Sequence, residues 1–180
     1  MEQSELKQYN IIQVLWTPEH EYYISEIYRL LKDQENKIFD LSFGDADVMD
    51  YVEYHVQKNA IYVIINNEDI VCGFFMLEKI RPYKDIILSA DLHCAVSKRC
   101  WGKKSRELGR AMLDYLRSNL PPLKRLVASV PQHNFGVVKL LKDLGFKHEG
   151  TLKSNLVYKN KYNEDKYYDE LIYSIVREDI

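Results

Sequence analysis

The chain has 180 residues, 46% hydrophobic and 29% charged, with seven Gly, five Pro and neither a low-complexity run nor an internal repeat. That balance belongs to a globular chain long enough to bury a full core as one domain, and it excludes a disordered or fibrous protein. A formal net charge of −2 and an isoelectric point near 6.2 exclude nucleic-acid binding through overall charge, so any basic site must be local.

In chain order, Ile11 to Trp16 reads as a first strand, closed by Thr17-Pro18, which suit the N-cap and first helical position. Ile24, Ile27, Tyr28 and Leu31 then recur at helical spacing. A second amphipathic helix carries Val48, Tyr51, Val52 and Val56 and begins near Asp45 or Asp47 as cap. Ile61 to Ile65 is a short apolar strand, and Asn66 to Asp69 is a polar turn into another strand through Leu77, which predicts a hairpin. The clearest alternation follows: Ile86, Leu88, Ala90, Leu92, Cys94 and Val96 on one face, with Ser89, Asp91 and His93 on the other.

That strand runs into a basic loop, Ser97-Lys98-Arg99-Cys100-Trp101-Gly102-Lys103-Lys104-Ser105, and then a helix to about Ser118 with Leu108, Met112, Tyr115 and Leu116 on one stripe. Cations and backbone N–H groups at a helix start make an anion site, usually for phosphate. Pro121-Pro122 closes a linker before a strand from Leu123 to Val130. Val137, Val138, Leu141 and Leu144 form a short helix stopped by Gly145. Two last strands fit Thr151 to Tyr158 and Tyr168 to Val176, joined by the turn Asn160 to Lys166. The order β-α-α-β-β-β-α-β-α-β-β predicts one α+β domain over 1–180, a mixed central sheet of about six to seven strands flanked by about four helices.

Cys72, Cys94 and Cys100 are an odd number without disulfide-scaffold spacing, which favours a reducing compartment. The first residues are acidic without an apolar core, and no apolar run approaches a bilayer's thickness, so the expectation is a cytoplasmic protein with no membrane contact.

This element order resembles the GNAT superfamily of acetyl-CoA-dependent N-acyltransferases, from roughly Ile61 to Glu178. Leu144-Gly145-Phe146 with Glu149-Gly150 is similar to the "GF…EG" signature of the ribosomal-protein and polyamine acetyltransferases, and Tyr173 to Glu178 to their terminal strand. The resemblance implies acetyl-CoA as the cofactor, with an amine, protein or small molecule, as acceptor. It implies cofactor contacts from Cys94, Ala95 and Val96 on the strand, from Trp101, Gly102, Lys103, Lys104, Ser105 and Arg106 at the helix start, and from Asn134, where the relatives carry an Asn that contacts the cofactor arm.

The departures from the family pattern matter as much. Its pyrophosphate loop, Arg/Gln-x-x-Gly-x-Gly/Ala, falls on Trp101, Lys104 and Arg106, so all three signature positions differ, and Lys103, Lys104 and Arg106 would hold phosphate with side chains instead. The family's usual acids are also replaced, a Tyr by Leu141 and a Ser by Val137. His93, flanked by Asp91, is then the best titratable group for deprotonating the amine. Phage-encoded GNAT-like proteins, some associated with virion heads, are similar in carrying a His on this strand followed by a Trp/Arg-Gly step.

Each site has a plainer reading. His93 can be a hydrogen-bonded strand histidine. The cluster Lys98, Arg99, Lys103, Lys104, Arg106 and Arg110 can be a solvated helix start. Cys94 falls on the apolar face, while Cys100 is a loop thiol without a base nearby in sequence. His133, His148 and the cysteines lack metal-ligand spacing, so no metal is expected. The interleaved rings and cations of Tyr158 to Tyr162 and Lys166 to Tyr168 can stack on a partner or pack as hairpin tyrosines. Three functions stay open: an N-acetyltransferase, monomeric or homodimeric; a catalytically inactive GNAT-fold protein acting as a phage virion component or protein-interaction module; and a nucleic-acid- or tRNA-directed acyltransferase, against which the acidic balance argues.

Overall fold

Both side-chain faces of the central strands are apolar, and a different pair of helices covers each. The computed structural model describes residues 9–38, 45–58, 60–159 and 164–176. In chain order the elements are β1 (Tyr9–Gln13), α1 (Glu21–Ile38), α2 (Asp45–Gln57), β2 (Ile61–Asn66), β3 (Val71–Tyr83), β4 (Ile86–Val96), α3 (Lys103–Asn119), β5 (Arg125–Pro131), α4 (Phe135–Asp143), β6 (Lys147–Lys159) and β7 (Asp165–Val176). They form the expected single α+β domain around one seven-stranded sheet, in the order β1-β2-β3-β4-β5-β7-β6.

On one face Val63, Ile65, Phe74, Met76 and Ala95 pack with Ile24, Ile27, Leu30 and Leu31 of α1 and Val52 and Val56 of α2. On the other, Tyr62, Phe75, Leu77, Ala90, Leu92, Leu126 and Ile175 pack with Leu108, Met112 and Leu116 of α3 and Leu141 of α4. Tyr62 and Phe75 stack with centroids 4.9 Å apart, and Tyr115 meets Tyr62 edge-on at 5.5 Å. The helical stripes read from the sequence are therefore the buried ones, except that Val48 and the capping side chain at Asp45 or Asp47 lie outside the described side chains, as do much of the Asn160 to Lys166 turn and the terminal Arg177-Glu178.

Several boundaries shift for physical reasons. The first strand is Tyr9–Gln13, not Ile11 to Trp16: Val14 N–H still reaches Ile61 O at the start of β2 at 3.0 Å, and the chain then leaves the sheet as Leu15 N–H turns to His20 Nδ1 at 2.9 Å. Pro18 then opens a short 3-10 turn, Pro18–His20, ahead of α1, and Thr17 makes no side-chain cap bond. Leu123 forms an isolated parallel bridge with Ile87, so β5 begins at Arg125. The last hairpin is longer than its apolar cores predict: β6 starts at Lys147 and already pairs with Ser174 there. At the end of α4, Phe146 N–H bonds Leu141 O at 2.9 Å and Gly145 N–H bonds Lys142 O at 3.1 Å, the paired bonds that stop a helix at glycine.

The pairing of β4 with β5 positions the site. It is the one parallel strand contact among the described residues, and it covers only Ala90↔Leu126 and Asp91↔Val127 beside the Ile87 bridge. β4 continues to Val96 against β3, and β5 continues to Pro131 against β7. Beyond Asp91 the two strands diverge.

Gly73 sits where β3 and β4 approach closely: a Cβ there would lie 2.7 Å from the Ala95 carbonyl oxygen. Backbone cannot yield as a side-chain tip can, so Gly73→Ala should destabilise by about 1–3 kcal/mol. Thermal unfolding would register this as a Tm lower by roughly 2–4 °C per kcal/mol; an unchanged Tm would mean that the strands separate without cost.

Candidate functional site

The divergence of β4 and β5 opens a cleft of about 680 Å³ between the strands and under α3 and α4. Its lining includes Leu92, Cys94, Ala95 and Val96 from β4, Trp101, Gly102, Lys103, Ser105 and Arg106 from the start of α3, and His133, Asn134 and Phe135 at the start of α4. Nine of the ten cofactor-contact positions implied by the resemblance thus face one cavity. Lys104 does not line it; its side chain is exposed on the first turn of α3.

The mouth of this cleft is built by the β4–α3 connection. A short 3-10 turn, Lys98–Cys100, is tied back to β3, with Ser97 N–H donating to Cys72 O at 2.8 Å and Arg99 Nη2 to Val71 O at 2.5 Å. Arg99 is therefore committed to the fold rather than to the cleft. Gly102 precedes α3 with φ of 78°, a left-handed conformation that side chains disfavour. The first turn of α3 has no acidic residue, and its leading N–H groups start at the cleft, where the helix dipole is positive. Lys103 lies 3.8 Å from Glu107, and Arg106 reaches across to Asp143 of α4, also at 3.8 Å. Trp101 Nε1 donates to Val96 O at 3.0 Å, which holds the half-exposed indole at the rim.

At the other lip, Asn134 caps α4 by accepting from Val137 N–H at 3.4 Å. His133 packs its ring on Tyr168 at 4.4 Å, and Lys166 Nζ lies 5.3 Å from the same tyrosine's centroid, so Tyr168 of the hairpin tract sits between the β5–α4 turn and its own strand's lysine. Glu149 of the "GF…EG" segment ion-pairs with Arg125 and accepts from Ser174 Oγ, tying β5, β6 and β7 together. Apolar surroundings push the Cys94 thiol, on the cleft wall, up to about 11. Cys100 is buried rather than free in a loop, and burial, with the neighbouring Cys100 thiol second, pushes Cys72 up to about 11.

His93 lies on the opposite face of β4, two residues beyond the last β4–β5 pair, between the cleft-lining Leu92 and Cys94. Asp91 shares that face but does not partner it: Asp91 is ion-paired to Lys79 at 2.9 Å. The partner of His93 is Glu78 on β3, which the sequence reading missed. Glu78 Oε2 is 3.2 Å from His93 Nε2, while Oε1 is 2.9 Å from His55 Nε2 and accepts from Tyr51 Oη at 3.0 Å. The hydrogen bonds from His55 and then His93 hold the Glu78 carboxyl well below the usual carboxylate range, against a burial that opposes ionisation. Burial, and after it the same carboxylate, push the Tyr51 phenol far above its ordinary value, so Tyr51 stays a donor. Among the described residues no group of three or more His, Cys, Asp or Glu is placed to hold a metal ion.

No family model matches the sequence, and no curated protein matches it. Solved structures do. Spermidine N-acetyltransferase from Vibrio cholerae, crystallised in complex with CoA and spermine, is similar with a TM-score of 0.70 and 18% identity over 97% of this chain and 98% of that one. A ribosomal-protein-alanine N-acetyltransferase from Brucella melitensis has a TM-score of 0.67 and 20% identity over 93% and 99% of the two chains. A GNAT-family acetyltransferase from Bacillus anthracis has a TM-score of 0.69 and 16% identity over 95% and 96%. With seven strands in the same open sheet and the two central ones parted over a cleft, this chain has the fold of the GNAT acetyltransferases along nearly its whole length.

Proposed function

We propose that the protein is an N-acyltransferase that moves an acetyl group from acetyl-CoA to an amine acceptor. The observation that carries this reading is the parting of β4 and β5 after Asp91, which gives a cavity of about 680 Å³ reached from the start of α3. The residues present suit an acyl-CoA: N–H groups at a helix start with Lys103 and Arg106 for phosphates, and an apolar interior of Leu92, Cys94 and Val96 for the arm and thioester. Acetyl-CoA would supply the activated acyl group.

The chain's own residues divide the remaining work by face. The acyl donor lies on the α3/α4 side, and the amine comes from the α1/α2 side, where His93 takes a proton from its nitrogen. The nitrogen attacks the thioester carbonyl carbon, the C–S bond breaks, and the amide leaves with CoA thiolate as the other product. Leu141 and Val137, at the family's acid positions, carry no exchangeable proton, and protonation of the thiolate falls to solvent. Cys94 is the one thiol among the described cleft-lining residues, and its raised pKa keeps it protonated near neutrality, which favours direct transfer over an acyl-cysteine route. No described helix is long and apolar enough to cross a membrane. Three free cysteines fit a cytoplasmic location, and the acceptor would be met by a monomer or homodimer.

Acetyl-CoA at about 100 times its dissociation constant should stabilise the protein by about 2.7 kcal/mol in thermal unfolding. Arg106→Ala should weaken that binding by about 1.5–3 kcal/mol, since it removes a charged donor and leaves Asp143 facing the phosphates. Absence of any shift at millimolar acetyl-CoA would sink the enzymatic reading and favour an inactive GNAT-fold interaction module or virion component. His93→Ala should lower turnover roughly 10²-fold with affinity for acetyl-CoA unchanged, measured by steady-state kinetics alongside calorimetry. Equal turnover would reduce His93 to a structural residue.

A further inference from the structure

We propose that Glu78 is a positioning residue for His93: its carboxylate, clamped between α2 and β4, fixes the His93 ring with its proton on Nε2 and leaves Nδ1 as the lone pair that receives the acceptor's proton. The catalytic part of this proposal rests on the proposed acyltransfer function; the tautomer does not.

The geometry assigns the proton. An ionised carboxylate only accepts hydrogen bonds, so each ring nitrogen that faces it must carry a hydrogen. Glu78 Oε1 is taken by His55 Nε2 at 2.9 Å and Tyr51 Oη at 3.0 Å, which leaves Oε2 to His93 Nε2 at 3.2 Å. Three donors on two oxygens satisfy a half-buried anion that would otherwise be costly in this position. In neutral imidazole one nitrogen donates and the other accepts, so an Nε2–H held on Glu78 makes Nδ1 the basic atom.

The clamp is stiff because its far side is buried. His55 is only 6% exposed, and its ring is set edge-on against Tyr51 at 4.4 Å and Tyr54 at 5.1 Å. Tyr51 Oη also reaches Met76 Sδ at 3.6 Å, and Met76 is the β3 residue paired with His93 in the sheet. Glu78 therefore cannot follow His93 if that ring swings. Asp91, the sequence neighbour on the same face, is unavailable as a substitute because Lys79 holds it at 2.9 Å. A carboxylate that fixes the tautomer and direction of a histidine is a recurring device in proton transfer, and here it comes from the adjacent strand rather than from the histidine's own.

The test is a long-range 1H–15N correlation spectrum of the 15N-labelled full chain at a pH where the histidines are neutral, with His93 assigned by its loss in His93→Ala. The wild type should show the His93 proton on Nε2. Glu78→Gln, whose amide offers one acceptor and one donor face, should shift His93 toward the Nδ1–H form or a mixture. In the same variant kcat should fall between about 10-fold and 10⁴-fold, with KM for acetyl-CoA unchanged, the loss expected when a carboxylate no longer holds its histidine. A wild-type proton on Nδ1 overturns the proposal, and that spectrum does not depend on any variant folding. An Nε2–H form that persists in Glu78→Gln overturns the role of Glu78. If the spectra behave as expected but His93→Ala turns over normally, the acyltransfer role of His93 fails while the tautomer assignment stands.

Discussion

A parallel strand pair that stops bonding after Asp91↔Val127 is the constraint on which the rest of this structure depends. Two strands can part inside a sheet only if each is held by its other neighbour. β4 is held by β3 through nine Cα partners from Gly73↔Val96 to Tyr83↔Ile86, and β5 by β7 through seven from Arg125↔Val176 to Pro131↔Glu170. The gap is thus not a failure of pairing but the meeting line of two well-paired half-sheets. The Glu149 contacts to Arg125 and Ser174 lock one half internally, and the Ser97 and Arg99 bonds to Cys72 and Val71 lock the other. Close packing then keeps the gap open, since neither half can slide toward the other without breaking its own ladder.

The gap also lets two faces of one sheet share chemistry. Alternation along β4 sends Leu92 and Cys94 to the cleft side and His93 to the α1/α2 side. Within an ordinary sheet those faces would be separated by a continuous hydrogen-bonded layer. Here the layer is interrupted within two residues of His93, so that under the proposed function a group in the cleft and a group beneath α2 would come within reach of one reacting centre. The roofs differ accordingly. α3 and α4 present dipole, cations and exposed rings, whereas α2 presents Tyr51 and His55 to a half-buried carboxylate.

Much of the fold was legible because its signals are local. The stripe Ile24, Ile27 and Leu31, the alternation from Ala90 to Val96 and the stop at Gly145 each report on residues within a turn or two of one another. Ahead of Ala90 the expected alternation fails: Ile87 is buried and Leu88 is 40% exposed, because the β3–β4 register shifts there. Strand ends were less legible, as at Leu15 and Trp16, where an apolar pair continues the strand pattern while the backbone has already turned toward His20. The cleft residues could be placed by following one strand into one helix. The Glu78 clamp could not. Glu78 meets His93 through strand register, across a hairpin whose pairing shifts between Glu78 and Arg81, and His55 joins from 23 residues upstream of Glu78. One signal was present: Tyr51 and His55, four apart beside the buried Val52 and Val56, put two polar rings on the margin of a core stripe. Asp91 misled for the converse reason, since nearness along a strand face is not pairing, and Lys79 across the hairpin claims it.

The start of α3, where the proposed function places phosphate, can be read in the same physical terms. Where the related pattern uses small residues so that backbone can approach an anion, this chain keeps the backbone turn through Gly102 and replaces smallness with charge. Charge at Arg106 brings a liability, because Asp143 stands 3.8 Å away and would repel a phosphate if left alone. The pair answers it: Arg106 neutralises Asp143 here, and under the proposed function it would be shared between carboxylate and phosphate. Both side chains are substantially exposed, so their mutual attraction in water is modest and breaking it costs little. A weakly held arginine at a helix start is therefore compatible with the proposed entry of a polyanion, and it ties the entrance of the cleft to the spacing between α3 and α4.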